Sequence, residues 1–265
     1  MENRTKHYFQ KLFVRKLAGR KYYSKIKFFK IYLKAKTGSD YEISRVLLDI
    51  LKDDDIFIDV GANLGQYIIR IKSKYHSGVM IYAFEPVISN YKILSKYIKS
   101  KCENVILENY AVSDTEGPDV LYIPLIDSIE VDTQASIDYE NRKMYYNDFA
   151  KQDIRKITID NYLNANSIQR MDYLKIDTEG NDERVIRGAL KSIAEFKPVI
   201  FCEDMENIET LEILTQLNYK RYLLTKDYKL SGLFDSKNAE VFNDLIIFIP
   251  ESKEYIFEKY IIARI

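Results

Sequence analysis

From Asp55 onward, short apolar runs rich in β-branched residues alternate with longer segments of helical period. The runs are Ile56–Val60, Val79–Phe84, Val105–Leu107, Tyr173–Ile176, Val199–Phe201 and Leu245–Ile249. Gln66–Tyr75 follows the first run. Tyr91, Leu94 and Ile98 recur at helical spacing after the second. Val185, Ile186, Ala189, Leu190 and Ile193 mark one helix face after the fourth, and Leu211, Leu214 and Leu217 do so after the fifth. Near-continuous apolar strands joined by helices predict a mostly parallel sheet covered on both faces. The last run pairs with Tyr219–Leu224 as an antiparallel end. Residues 1–50 read as helical: Phe9 to Leu33 interleaves Lys and Arg with apolar residues, and Gly38-Ser39-Asp40 breaks the pattern before Tyr41–Leu51. Residues 117–157 interrupt the rhythm, polar and Tyr-rich without a clear period, where a substrate-side insertion belongs. The expected division is a basic helical segment (1–50), an α/β domain (51–250) and a C-terminal tail (251–265).

The chain has 265 residues, 46% of them hydrophobic, enough for one large domain with a buried core. Lys+Arg and Asp+Glu both number 40, so net charge gives no reason to expect a nucleic-acid partner. Cys102 and Cys202 stand far apart, with no CxxC or Cys/His cluster, so no zinc site is expected. A reduced, cytoplasmic compartment fits. Lys or Arg interrupts every N-terminal apolar stretch, which leaves no signal-peptide core, and no run approaches the ~18 apolar residues of a membrane span. The basic, aromatic N-terminal stretch has three open roles: a solvated helix packed on the core, a peripheral contact with an anionic membrane, or an RNA contact.

Ligands of open α/β sheets bind beyond the carboxyl ends of the strands. The first run ends in Asp59-Val60-Gly61-Ala62-Asn63-Leu64-Gly65, a turn whose glycines let a ligand approach main-chain N–H groups at a helix N-terminus. The same turn also serves as an ordinary strand–helix connection. Glu85, ending the second run about twenty residues later, is placed to accept from two ribose hydroxyls, or to sit as an acid at a helix opened by Pro86. The third run leads to Ala111 and Val112, whose small side chains leave room for a base, but taken alone the stretch is an ordinary strand end and does not imply adenine binding. In the fourth, Lys175 interrupts a strand that should be buried, so an acidic partner is expected. Asp177 and Glu179 end that strand, and Asn181 or Asp182 suits a helix cap. Glu203 and Asp204 end the fifth. His7 and His76 lie away from this cleft and receive no role.

With these residues in view the sequence resembles the FkbM methyltransferase family. The resemblance rests on Phe57 to Gly65, Ala83-Phe84-Glu85-Pro86, Ala111 to Asp114, Thr158-Ile159-Asp160, Leu174 to Gly180 and Asn243 to Pro250, in the family's order over roughly residues 55–250. It implies a class I, Rossmann-like, seven-stranded sheet and S-adenosyl-L-methionine as cofactor. Asp59 and Gly61, with Asn63 and Gly65 in the same turn, would hold the methionine end. Glu85 would hold the ribose, and Ala111 and Val112 would line the adenine. Asp177 and Glu179 would stand near the sulfonium and the acceptor as the catalytic pair. Thr178 departs from the family, which more often has an aliphatic residue there.

The expected reaction is transfer of a methyl group to a hydroxyl oxygen of a sugar, glycan or secondary metabolite, with Asp177 or Glu179 as base. Three other readings stand beside it. A magnesium site of Asp177, Glu203 and Asp204 would make the reaction metal-assisted. An NAD-dependent oxidoreductase would share the sheet, although Tyr67 and Ile68 stand where a third fingerprint glycine belongs. A non-catalytic nucleotide-binding module would keep the fold without the chemistry.

Overall fold

The computed structural model describes residues 25–35, 42–75, 77–202, 208–225, 229–232 and 241–261. Among them the strands are β1 (Ile56–Val60), β2 (Met80–Phe84), β3 (Val105–Glu108), β4 (Ala111–Val112), β5 (Gly117–Ile126), β6 (Ile129–Glu130), β7 (Asp148–Ile157), β8 (Tyr173–Ile176), β9 (Val199–Cys202), β10 (Tyr219–Thr225), β11 (Leu230–Gly232) and β12 (Val241–Pro250). The helices are α1 (residues 25–35), α2 (Glu42–Ile50), α3 (Gln66–Tyr75), α4 (Ile88–Lys101), α5 (Tyr139–Arg142), α6 (Ile159–Ala165), α7 (Asp182–Arg187), α8 (Leu190–Phe196) and α9 (Ile208–Gln216).

The main sheet has the order β11-β10-β12-β9-β8-β1-β2-β3. Pairing is parallel from β3 through β9, and β12 runs antiparallel to both β9 and β10. This is the class I, Rossmann-like arrangement with its antiparallel end, but with eight strands where seven were expected. The extra strand is the three-residue edge β11, too short to register as an apolar run. Strand order reverses between β1 and β8, which is where an open α/β sheet forms its ligand crevice.

Burial explains the apolar runs. β8 and β9 are buried at every position, and β1 at all but its first. Alternate side chains enter two cores. Phe57, Ile81, Ala83, Tyr173 and Phe201 pack on one face with Val46 and Leu47 of α2. Ile58, Val60, Leu174, Ile176 and Ile200 pack on the other with α6, α7 and α8. The boundary expected at residue 50 is therefore crossed by the core. The expected tail is also anchored: Phe257 is buried in the first core, and Tyr260 Oη donates to Asp49 Oδ2 at 2.6 Å.

The helix expected from Val185 to Ile193 is two helices, α7 and α8. They part near Gly188, where a β-carbon would lie 2.1 Å from the Ser113 carbonyl oxygen. The periodicity carried across the break because both helices face the same core.

Residues 117–157 are not irregular. β5 and β7 pair antiparallel along their length in a second sheet of order β4-β7-β5-β6. Its inner face places Leu121, Ile123, Ala150 and Ile154 against Val87. The alternation was obscured because Gln152, directly opposite Leu121, is polar on that inner face. Glu203, Asp204, His7, His76 and the Gly38–Asp40 break lie outside the described residues. No helix among those described is long and apolar enough to cross a membrane.

Candidate active site

A cavity opens where β1, β2 and β8 end, bounded across its mouth by the second sheet. Its wall includes Gly61, Asn63, Glu85, Ala111, Val112, Asp177 and Glu179. Loops from four separate strands are thus brought to one place.

The β1 turn is forced by close packing. Gly61 has φ +77°, and a β-carbon there would lie 1.9 Å from the Asp177 carbonyl oxygen. Only glycine lets the ends of β1 and β8 approach this closely. Asn63 also takes a positive φ, of 50°, and its N–H donates to Glu85 Oε2 at 2.6 Å. Glu85 Oε1 accepts from Val87 N–H at 2.9 Å. Burial pushes the Glu85 carboxyl up to about 7, against the pull of the Val87 and Asn63 N–H groups. Asn109 holds the loop behind it by donating to the Glu85 and Pro86 carbonyls at 2.8 and 3.0 Å.

Beneath the cavity lies a buried charge pair. Asp59 of β1 stands opposite Lys175 of β8 in the strand register. Lys175 Nζ is 3.1 Å from Asp59 Oδ1 and 3.5 Å from Asp177 Oδ2, donates to the Gly61 carbonyl at 2.8 Å, and lies 5.2 Å above the Tyr67 ring. Burial alone would lower its pKa, but the carboxylates of Asp59 and Asp177 hold it above the usual lysine range. Lys175 therefore remains an ammonium and ties β1, β8 and the cavity floor together. The acidic partner expected for Lys175 is present twice.

Glu179 stands differently from Asp177. Its backbone is left-handed at φ 56°, and its carboxylate is gripped from the insertion. Gln134 Nε2 donates to Oε1 at 2.8 Å, Arg142 Nη1 to Oε2 at 3.3 Å, and Arg142 Nη2 to the Glu179 carbonyl at 2.6 Å. Asp177 Oδ1, by contrast, makes no hydrogen bond among the described residues. Neither Asn181 nor Asp182 caps α7 through its side chain. Asn181 Nδ2 donates to the Val112 carbonyl at 2.8 Å, and Asp182 accepts from Thr178 N–H at 2.9 Å and from the Thr178 hydroxyl. Thr178 thus folds the loop back onto its own helix.

Residues 59–224 match the Methyltransferase FkbM domain. The chain belongs to the FkbM methyltransferase family. That membership sets aside the oxidoreductase reading. The hexuronic acid methyltransferase AglP of Haloferax volcanii is 22% identical over 161 residues, which is 61% of this chain and 61% of that protein's own length. Among solved structures, the FkbM methyltransferase of Methylobacillus flagellatus superposes with a TM-score of 0.42 at 15% identity, covering 74% of this chain and 43% of that one. An rRNA methylase of Streptococcus thermophilus gives 0.43 at 13%, covering 80% of this chain and 98% of that one.

Of the residues expected in the FkbM site, Gly61, Asn63, Glu85, Ala111, Val112, Asp177 and Glu179 share the cavity wall. Asp59 does not reach it. It is fully buried under the wall as the partner of Lys175. Gly65 does not reach it either, since its φ of +82° serves the start of α3 against Leu94. The proposed magnesium ligands Glu203 and Asp204 fall outside the described residues. Among those described, no three His, Cys, Asp or Glu side chains are grouped to hold a metal.

Three residues that brace the cavity walls gave no signal in the sequence: Gln134, Arg142 and Gln152. The first two clamp Glu179. Gln152 clamps the opposite wall, donating to the Pro86 carbonyl at 2.7 Å and accepting from Ile88 N–H at 3.1 Å. The insertion thus braces both loops of the cleft. Arg142→Gln is expected to lower kcat by on the order of 10²-fold through misplacement of Glu179, with donor affinity little changed. Steady-state kinetics separate the two, and an unchanged kcat would remove the clamp from the account.

Proposed function

We propose that the chain transfers a methyl group from S-adenosylmethionine to a hydroxyl oxygen of a sugar, with Asp177 as the base. The observation that carries this reading is the meeting of Glu85 and Asp177 in one cavity at the switch point of the sheet. The residues fit the cofactor. Each Glu85 oxygen accepts one backbone N–H, so each keeps capacity for a ribose hydroxyl. The Gly61–Asp177 contact leaves main chain, not side chain, facing the methionine end. Tyr110, Ala111 and Val112 offer an apolar wall for the adenine.

When bound, the cofactor supplies a methyl group on a sulfonium. The work of this chain is alignment and proton removal. Asp177 Oδ1 would accept the proton of the acceptor hydroxyl as the hydroxyl oxygen takes the methyl group, the S–CH3 bond breaking to leave the neutral thioether S-adenosylhomocysteine. Lys175 holds the other oxygen of Asp177 from below and so fixes the direction in which the free lone pair points. Glu179 is engaged by Gln134 and Arg142 on both oxygens, which suits it to orient the acceptor and leaves proton transfer to Asp177. A sugar acceptor is favoured by the likeness to AglP, named for hexuronic acid. The test is transfer of labelled methyl from S-adenosylmethionine to glucuronic-acid oligosaccharides. Base-stable label in the sugar supports an ether product. Label lost to mild base would place it on a carboxylate, and no transfer to any sugar would remove the acceptor class.

Glu85 makes binding depend on pH. A carboxyl raised to about 7 by burial is mostly protonated at pH 6 and mostly ionised at pH 8. The ionised form accepts from both ribose hydroxyls. Affinity for S-adenosylhomocysteine is therefore expected to rise about tenfold between those values. Glu85→Gln should weaken binding and flatten the profile. A wild-type profile as flat as the variant's would contradict the ribose assignment.

A further inference from the structure

One face of α1 is fixed to the body of the protein. Ile31 and Ala35 are buried with Leu64 and Ile69, and Phe28 and Tyr32 pack there beside Ile93 and Tyr97. Arg70 Nη1 donates to the Ala35 carbonyl at 2.7 Å. A helix docked in this way ordinarily presents a polar outer face. Here the outer face carries Ile26, Phe29 and Leu33, exposed by 38%, 58% and 45%. Their i, i+3, i+7 spacing gathers them within an arc of about 60° at 3.6 residues per turn. Lys30 and Lys34 flank that arc on one side and Lys25 on the other.

Charge is segregated in the same direction. Twelve of the chain's 40 Lys and Arg residues, and one of its 40 acidic residues, fall in the first 36 positions. A neutral chain thus has a strongly cationic end and an acidic remainder. An apolar stripe bordered by lysines fits the boundary between anionic headgroups and acyl chains. RNA fits it less well, because Ile26 and Leu33 offer no ring on which a base can stack.

We propose that α1 docks the protein on an anionic lipid surface, with Ile26, Phe29 and Leu33 entering the acyl boundary and the flanking lysines meeting the headgroups. Leu64, packed under α1, directly follows Asn63 of the cleft wall. Docking through α1 therefore sets the turn after β1, which carries part of the cleft wall, on the membrane side.

The full chain is sedimented with vesicles of phosphatidylcholine alone and of phosphatidylcholine and phosphatidylglycerol in equal parts. Binding to the mixed vesicles only is expected. The double variant Ile26→Glu, Phe29→Glu should reduce it about tenfold or more, with unchanged melting temperature and unchanged S-adenosylhomocysteine affinity. Because that affinity is read separately, failure of the membrane proposal leaves the methyltransferase reading standing. Wild type that ignores the mixed vesicles overturns the proposal, as does a variant that binds them equally well. It is also overturned if the protein binds single-stranded RNA in preference to vesicles, or if the stripe holds two copies together and the variant is monomeric by light scattering.

Discussion

Replacing Lys175 with methionine is expected to cost about 3–5 kcal/mol of stability, the range found when one partner of a buried ion pair is removed. Asp59 is fully buried, and Lys175 is its ion-pair partner among the described residues. Methionine fills the lysine stem's volume but leaves a carboxylate stranded in the centre of the sheet. Against a typical total of about 5–15 kcal/mol the loss is severe. Two controls separate charge from packing. Asp59→Val combined with Lys175→Met removes both charges and should recover most of the stability. The single variant should also be more stable at pH 5 than at pH 8. Without Lys175 the Asp59 carboxyl is raised in the folded state, so its contribution is full below the unfolded value of about 3.9 and is lost as pH rises through the folded one. Urea unfolding measures all three. A single variant within about 1 kcal/mol of wild type would show that the pair is solvated, contrary to its burial.

Asp177→Asn is expected to lower kcat by about 10²–10⁴-fold, the usual worth of a positioned base, while S-adenosylhomocysteine binding is retained. Asparagine keeps the shape and its contact with Lys175 but cannot take the acceptor proton. Glu179→Gln should do less to kcat, because glutamine can still accept from Gln134 and Arg142. The comparison tests the division of labour between the two carboxylates. If Glu179→Gln abolishes turnover and Asp177→Asn does not, their roles are exchanged.

The central parallel strands β1, β8 and β9 were legible because they are buried on both faces, which leaves no polar alternation to confuse the reading. Lys175 was informative for the same reason: a cation in such a strand demands a partner, and its register neighbour Asp59 supplies one. The same pairing holds Asp59, a residue of the β1 motif, fully buried beneath the cavity wall.

The insertion was illegible for a related reason. Its inward face carries Gln152 to reach Pro86, so the hydrophobic alternation fails where the residue does most for the site. Arg142 and Gln134 lie 37 and 45 positions from Glu179. No local spacing connects them, and only the docking of the second sheet brings them together.

The central claim is that this cleft binds S-adenosylmethionine through Glu85. Calorimetric titration with S-adenosylhomocysteine at pH 8, on wild type and Glu85→Ala, tests it most directly. One site of micromolar affinity is expected in wild type, with loss of that binding in a variant that remains folded. Folded wild type that binds nothing, or a variant that binds as wild type does, would contradict it.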